Sequence, residues 1–195
     1  KNPARNVAEF LDWARKQPKG VNFGSAGVGT TPHLAGELFR TVTGIQAVHV
    51  PFRGAAQSMP ALMAGDTDFA IDNIASYTPL IKSGKVKALG ISGPQRIPGL
   101  PDVPTMTEFD ANLDVNGVIG SSWHGIFAPT GTPNEIISKL NTEIVKIVKM
   151  PDVQAKLTEL GLTPTGTSAA ALDSVANSDY AFWNKVVRDL DIKVD

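Results

Sequence analysis

The spacing of apolar and polar positions predicts alternating helices and strands over the first half of the chain. Apolar residues at the three- and four-residue intervals of an amphipathic helix predict a first helix: Val7, Phe10, Leu11 and Ala14. A second stripe of this kind runs from Leu34 to Val42, with Pro32 suited to its first turn and Gly44 at its end. Two further short helices are predicted within residues 53–65 and 76–84.

Short apolar segments between these helices predict strands. They cover residues 21–27, 45–52, 67–74 and 85–92. Strands that alternate with helices in this way favour a parallel or mixed α/β sheet.

The pattern changes after Ser92. Several prolines within 93–109, without clear periodicity, predict an extended surface loop with a short helix near Thr105. One strand is predicted within 121–133, and three helices follow it. The first starts near residue 134 and carries an apolar stripe at spacings of three, four and three: Ile137, Leu140, Ile144 and Ile147. The second covers 152–160. The last covers 169–190, and its predicted buried residues are Leu172, Val175, Trp183, Val187 and Leu190.

These C-terminal helices must pack on a sheet, because a run of helices with one strand cannot close a layered core by itself. Either they cover the α/β unit that precedes them in the chain, which we call the front unit, or they belong to a second domain whose sheet is mostly absent from this chain.

Composition excludes several classes of function. Lys and Arg total 18 against 19 Asp and Glu, a net charge of -1, so we expect no nucleic-acid partner and no attraction to an anionic membrane. The absence of cysteine excludes disulfides, thiolate zinc sites and cysteine nucleophiles. No apolar run approaches the roughly 20 residues of a membrane-spanning helix.

Residues for metal binding or catalysis are scattered. His33, His49 and His124 lie in three different predicted elements without paired ligand spacing, and we expect His49 to pack inside its strand. No serine stands in a Gly-x-Ser-x-Gly sequence. We therefore predict no catalytic residue, no metal site and no cofactor.

The glycine-rich sequence "GSAGVGTT", residues 24–31, joins a predicted strand to a predicted helix, and we call it the glycine loop. It lacks the lysine of a P-loop, and Pro32 takes the place of the third glycine of a dinucleotide fingerprint. Free N–H groups at a helix start suit a carboxylate, a phosphate or a sulfate, and hydroxyl groups nearby add donors. A plain strand-to-helix turn is the alternative reading.

Other polar residues follow the next predicted strands. Arg53 could pair with a carboxylate, or it could simply be solvated. Asp72 and Asn73 follow the third strand, where Asp72 could equally cap the next helix. Ligands bind where the carboxyl ends of strands gather in an open α/β sheet, so these residues and the glycine loop are expected at one edge.

Several segments together resemble the Bug-type receptors, the extracytoplasmic solute-binding proteins of tripartite tricarboxylate transporters. They include "NFGSAGVGTTPHLAGELF", "VHVPFRGAAQSMPALMAGDTDFAIDN" and "WHGIFAPTGTP". The resemblance implies a periplasmic binding protein of type II-like α/β fold, with two domains that close on a small organic acid. It also implies that the protein has no enzymatic activity and that its partners are the membrane subunits of the transporter.

The resemblance also implies a binding site. In that family, backbone N–H groups, short hydroxyl side chains and ordered waters grip the ligand carboxylates. The matching positions in this chain are Ser25, Gly27, Gly29, Thr30, Thr31, Gly54, Ala55 and Asp72.

The domain division follows from the same resemblance. Residues 1–120 would form the second α/β domain and one wall of the cleft, and 121–195 the return strand and C-terminal helices of the first domain. Family members begin with a first-domain segment that carries its own glycine-rich loop, and nothing in this sequence matches it. We therefore expect a fragment with an incomplete first domain, whose exposed apolar helix faces favour self-association.

Two alternatives stay open from the residues. One is the ligand-sensing effector domain of a LysR-type regulator, which has the same general architecture. The other is an α/β enzyme that acts on a phosphorylated substrate, with Asp72 and His33 as its candidate acid and base.

Overall fold

The computed structural model of the chain describes residues 2–93, 95–109 and 123–193, and it confirms an α/β fold. The elements in chain order are α1 (Val7–Arg15), β1 (Val21–Ser25), α2 (Thr31–Thr43), β2 (Ala47–Pro51), α3 (Ala55–Ala64), α4 (Ile74–Lys82), a 3₁₀ turn (Met106–Glu108), α5 (Asn134–Val148), α6 (Pro151–Glu159) and α7 (Ala169–Asp189).

Local sequence signals explain where the first helices begin and end. The Asn6 side chain accepts a hydrogen bond from the Glu9 N–H at 2.8 Å and so caps α1. Gly44 ends α2 in the left-handed conformation, with φ of 67°, which glycine adopts without a steric penalty. The four predicted apolar residues of α1 are all buried.

The two strands are parallel and adjacent, with α2 as the crossover between them. Val21 lies opposite Ala47 and Ser25 lies opposite Pro51, so the strands end together. Parallel strands require such a crossover, and the helix covers one face of the pair. This register brings the loops after Ser25 and Pro51 to the same edge.

The strands predicted at 67–74 and 85–92 are reduced to single bridges. Phe69 pairs with Phe23 in parallel, and Ile91 pairs with Thr105. Three backbone hydrogen bonds join the first of these segments to β1: Asp68 N–H and Phe69 N–H to the Asn22 carbonyl, and Gly24 N–H to the Phe69 carbonyl. A strand is defined by its partner, and the described residues pair with these two segments over these short stretches only.

Aromatic side chains form the centre of the core around the sheet. Phe10, Phe39 and Phe69 pack with ring centroids 5.0 to 6.4 Å apart, and Phe23 lies 5.5 Å from Phe69. Burial of each such ring contributes roughly 1.5–3 kcal/mol. The core therefore lies between α1, α2 and the sheet.

The C-terminal helices are poorly covered. No residue of the fully described helices α5 and α6 is buried, and Leu140 and Ile147 of the predicted apolar stripe are 48% and 51% exposed. On α7, the burial prediction is wrong: Val175 is 43% exposed, and Leu172, Trp183, Val187 and Leu190 are half-buried, whereas Val186 is buried. The expected exposure of apolar helix faces is confirmed for Leu140, Ile147 and Val175.

The expected return strand is absent from the part of its range that the structure describes. Residues 123–129 have no regular secondary structure. Residues 121–122 and the predicted domain boundary at 120 lie outside the described residues. The C-terminal part still contacts the front unit, since the Thr78 hydroxyl donates to the Leu160 carbonyl at 3.4 Å.

Candidate functional site

The carboxyl ends of three chain segments lie at one edge of the sheet. β1 ends at Ser25, β2 ends at Pro51, and the segment that bridges β1 at Phe69 continues to Asp72. Each segment leads directly into the N-terminus of a helix: α2, α3 and α4. We call this edge, residues 25–31, 52–56 and 72–75, the rim.

The glycine loop is held by its own hydrogen bonds. The Thr30 hydroxyl donates to the Gly27 carbonyl at 2.6 Å, and the Gly27 N–H donates to Ser25 Oγ at 3.1 Å. Gly27 and Gly29 have φ values of 136° and 76°, which side chains on L residues rarely permit. Ser25 and Thr30 thus shape the loop, and Thr31 is exposed at the start of α2.

Backbone hydrogen bonds tie the start of α3 to the glycine loop. The Gly54 N–H donates to the Ala26 carbonyl at 3.0 Å, and the Phe52 N–H donates to the Ser25 carbonyl at 3.1 Å. Gly54, the N-cap of α3, has a φ of 94°. The two helix starts are therefore one connected backbone surface.

Unpaired backbone donors collect on this surface. Thr30 and Gly54 make no side-chain cap, and no acidic residue occupies the first turn of α2 or α3. Among the described residues, the N–H groups of Thr31, His33, Ala55 and Ala56 have no hydrogen-bond acceptor. Two helix N-termini, each with about half a positive charge, thus face the rim without a counter-charge in their first turns.

Asp72 lies on the third segment of the rim. Its Oδ1 accepts a hydrogen bond from the Asn73 N–H at 2.7 Å, and its Oδ2 is shielded from solvent without a partner among the described residues. Burial raises the pKa of Asp72 above its ordinary value. The predicted helix cap belongs to Asn73 instead, whose side chain accepts from the Ala75 N–H at 3.0 Å.

Tyr77 lies below Asp72 in α4. The residue is 8% exposed, and its hydroxyl has no hydrogen-bond partner among the described residues. Burial, together with the neighbouring Asp72 charge, raises the pKa of Tyr77 to about 12. The tyrosine is therefore neutral at physiological pH and supplies no charge to the rim.

Two histidines, His33 and His49, make hydrogen bonds to residues of the glycine loop. The His33 and His49 rings stack with centroids 3.9 Å apart and planes 20° apart. His33 Nδ1 accepts from the Gly29 N–H at 3.0 Å, and His49 Nε2 lies 2.6 Å from Ser25 Oγ. Burial lowers the pKa of His49 to about 4, and it also lowers the pKa of His33. Both rings are therefore neutral at pH 7.

The sequence predicts that His49 packs inside its strand, but no pattern in it connects either histidine to the loop. His33 occupies the third position of α2, from which a side chain can reach back over the helix start. This position is the feature of the sequence that could have indicated a contact between His33 and the loop. The stacking with His49 depends on how α2 packs against β2, which no local pattern in the sequence indicates.

The predicted site residues thus lie along one edge. Ser25, Gly27, Gly29, Thr30 and Thr31 share the glycine loop, and Gly54 and Ala55 are joined to it through Ala26. Asp72 lies at the end of the neighbouring segment. Their contact with a ligand stays a prediction.

A large cavity lies between the front unit and the C-terminal helices and is lined in part by the third segment of the rim, Asp72, Asn73 and Ile74. Its volume is about 1830 Å³, and apolar side chains such as Phe69, Ile137 and Leu140 line it together with Asp72. Pockets for small molecules usually measure roughly 300–1,000 Å³. Residues 25–31 and 52–56 are outside its lining, so the free N–H groups of Thr31, Ala55 and Ala56 are not part of this cavity, which meets the rim at its third segment.

The described residues include neither a group of metal-ligating side chains nor a helix able to span a membrane. Within residues 2–93, 95–109 and 123–193, no three His, Asp or Glu side chains are placed to hold a metal ion. Over the same ranges, no helix combines the length and the apolar character that a bilayer crossing requires.

Comparison with known proteins identifies the family. The family described as "Tripartite tricarboxylate transporter family receptor" matches residues 1–192. A protein of Pseudomonas sp. (strain P51), named as a UPF0065 protein in the tcbD-tcbE intergenic region, is 37% identical over 183 residues, which cover 94% of this chain and 54% of that protein.

Two solved structures have the same fold. R. palustris Rpa4515 with adipate is 33% identical, with a TM-score of 0.88 over 97% of this chain and 62% of its own. MatC from Rhodopseudomonas palustris with bound malate is 30% identical, with a TM-score of 0.81 over 96% of this chain and 63% of its own. The chain therefore spans between about half and two thirds of the length of these proteins.

Proposed function

This chain belongs to the receptor family of tripartite tricarboxylate transporters, and we propose that it binds a small organic acid as a periplasmic solute receptor. The bound acid would be delivered to membrane subunits of a tripartite transporter or would be sensed. The proposed role is binding without chemical conversion of the ligand.

The observation that carries this proposal is the set of free backbone donors at the rim. The N–H groups of Thr31, His33, Ala55 and Ala56 lack acceptors among the described residues, at two helix N-termini whose first turns hold no acidic residue. Such groups bind anions through hydrogen bonds and through the helix dipole. A carboxylate fits this chemistry and adds the counter-charge that the first turns lack.

The relatives support a carboxylate in particular. Adipate and malate, named for the two solved structures, are both dicarboxylates. One carboxylate at the rim would leave the second for a facing surface. We also propose that residues 1–120 form one wall of the ligand cleft and that 121–195 belong to the opposite domain.

Calorimetric titration with adipate, malate, citrate and inorganic phosphate tests the proposal. The informative variant is Ala55→Pro, because proline is tolerated at the first position of a helix and removes one N–H donor. Loss of a hydrogen bond to a charged group costs about 1.5–3 kcal/mol, so we expect a roughly tenfold to hundredfold loss of affinity for the carboxylate.

Ala169→Pro is the matched control, because Ala169 is also the first residue of a helix, α7, away from the rim. We expect this variant to bind like the unmodified chain. Binding of phosphate without binding of any carboxylate would overturn the proposal, and so would equal losses of affinity in the two proline variants.

A further inference from the structure

We propose that His33 is a positioning residue, a neutral cap that orders the glycine loop and keeps the N-terminus of α2 free of negative charge for an external anion. The anion-binding half of this inference rests on the proposed function. The ordering half does not, because it concerns the loop alone.

The geometry places His33 where it can act on the loop. It is the third residue of α2, and its Nδ1 accepts the Gly29 N–H at 3.0 Å. Gly29 has a φ of 76° and no side chain to hold that conformation. The preceding turn is fixed separately, because Ser25 Oγ accepts the Gly27 N–H.

Contacts on the other side fix the ring of His33. Its side chain is 7% exposed, it stacks on His49 at 3.9 Å, and its Nε2 lies 4.0 Å from Glu37 Oε1. A carboxylate at that distance favours the proton on Nε2, which leaves the Nδ1 lone pair to accept from Gly29. Glu37 is itself paired with Arg40.

The choice of residue matters because the third helical position is where a capping box carries Glu or Gln. There, the side chain reaches back to an N–H at the helix start, and a Glu brings a negative charge to the helix N-terminus. His33 makes the corresponding hydrogen bond one residue earlier, at Gly29, without a charge. The donors of Thr31 and His33 thus keep their full attraction for a carboxylate.

Three substitutions separate the two parts of this role. His33→Leu removes the acceptor, His33→Gln keeps a neutral acceptor, and His33→Glu keeps an acceptor but adds a charge. Exchange of the Gly29 amide hydrogen, measured by NMR without ligand, should be about tenfold faster in the Leu variant than in the Gln and Glu variants. Affinity for malate or adipate should be retained by Gln and reduced about tenfold or more by both Leu and Glu.

If His33 had a structural role alone, the Gln and Glu variants would not differ in ligand affinity while sharing the same exchange rate of the Gly29 amide hydrogen. Equal Gly29 exchange in the Leu and Gln variants overturns the ordering role, even if no carboxylate binds. Equal affinity of the Gln and Glu variants overturns the charge argument. The unmodified chain gives a check that needs no variant: ¹⁵N NMR should find His33 protonated on Nε2, and protonation on Nδ1 would overturn the proposal.

Discussion

Gly36 of α2 lies against the ring of Phe23, and Gly36→Ala should be destabilising although alanine is the better helix former. A Cβ atom at Gly36 would lie 2.9 Å from Phe23 Cζ and nearer still to two other ring carbons, whereas real Cβ atoms essentially never come within 3.0 Å of such atoms. Phe23 is 0% exposed, with His49 stacked 5.0 Å away and Phe69 5.5 Å away, so its ring has no space to retreat.

Two opposing effects set the magnitude. Alanine in place of glycine inside a helix stabilises by about 1 kcal/mol, and overpacking of a filled core costs about 1–3 kcal/mol. Because the clash involves several ring carbons of an immobile side chain, we expect the upper end of that cost and a net loss of about 2 kcal/mol. At roughly 2–4 °C per kcal/mol for a chain of this size, the melting temperature should fall by about 4–8 °C.

Urea unfolding followed by tryptophan fluorescence measures this difference, with Thr41→Ala on the exposed face of α2 as the control for helix propensity. Phe23→Leu provides the second test, because a smaller side chain makes room for the new methyl group. We expect Gly36→Ala to cost much less in that background. The packing argument is refuted if Gly36→Ala stabilises the protein, or if its effect is the same with Phe23 and with Leu at position 23.

Two other properties follow from burial and exposure. Burial lowers the pKa of His49 from 6.5 to about 4, so between these values the unfolded chain binds a proton that the folded chain does not. The free energy of unfolding should therefore fall by on the order of 2 kcal/mol between pH 7 and pH 4. His49→Gln should remove this part, and it should leave the contribution of His33, which has the same sign, and that of Asp72, which has the opposite sign. Because Leu140 and Ile147 are exposed on α5, the mass measured by light scattering should rise with concentration, and lysine at both positions should lower it; a dilution-stable monomer before substitution would contradict this.

Helices were the part of the fold that local sequence could predict. The predicted last helix, 169–190, is observed as Ala169–Asp189, and the stop at Gly44 is observed as a left-handed glycine. These signals are local, because a cap or a three-to-four-residue period acts within a few residues. Burial was harder to predict: Val175 has the right spacing for an inward position, but it is 43% exposed in the structure.

Strands were less predictable because their hydrogen bonds connect distant residues. The segments 21–27 and 45–52 contain β1 and β2, which pair in parallel although α2 separates them in the sequence. The equally apolar segments around Phe69 and Ile91 make one bridge each. An apolar run predicts that a segment will be buried. Whether the segment forms a strand depends on a neighbouring segment that hydrogen-bonds to it along its length.

The same contrast explains what the sequence could say about the rim. Gly27, Gly29 and Gly54 have positive φ values, so their positions could be recognised from residue type alone. Every residue except proline has an N–H group, however, so free donors such as that of Ala55 leave no mark on the sequence. They become a binding surface through the hydrogen bond that joins Gly54 to Ala26 and brings two helix starts together. The ligand's fit to this surface is therefore set by backbone conformation, and the side chains that matter most are those, like His33, that fix it.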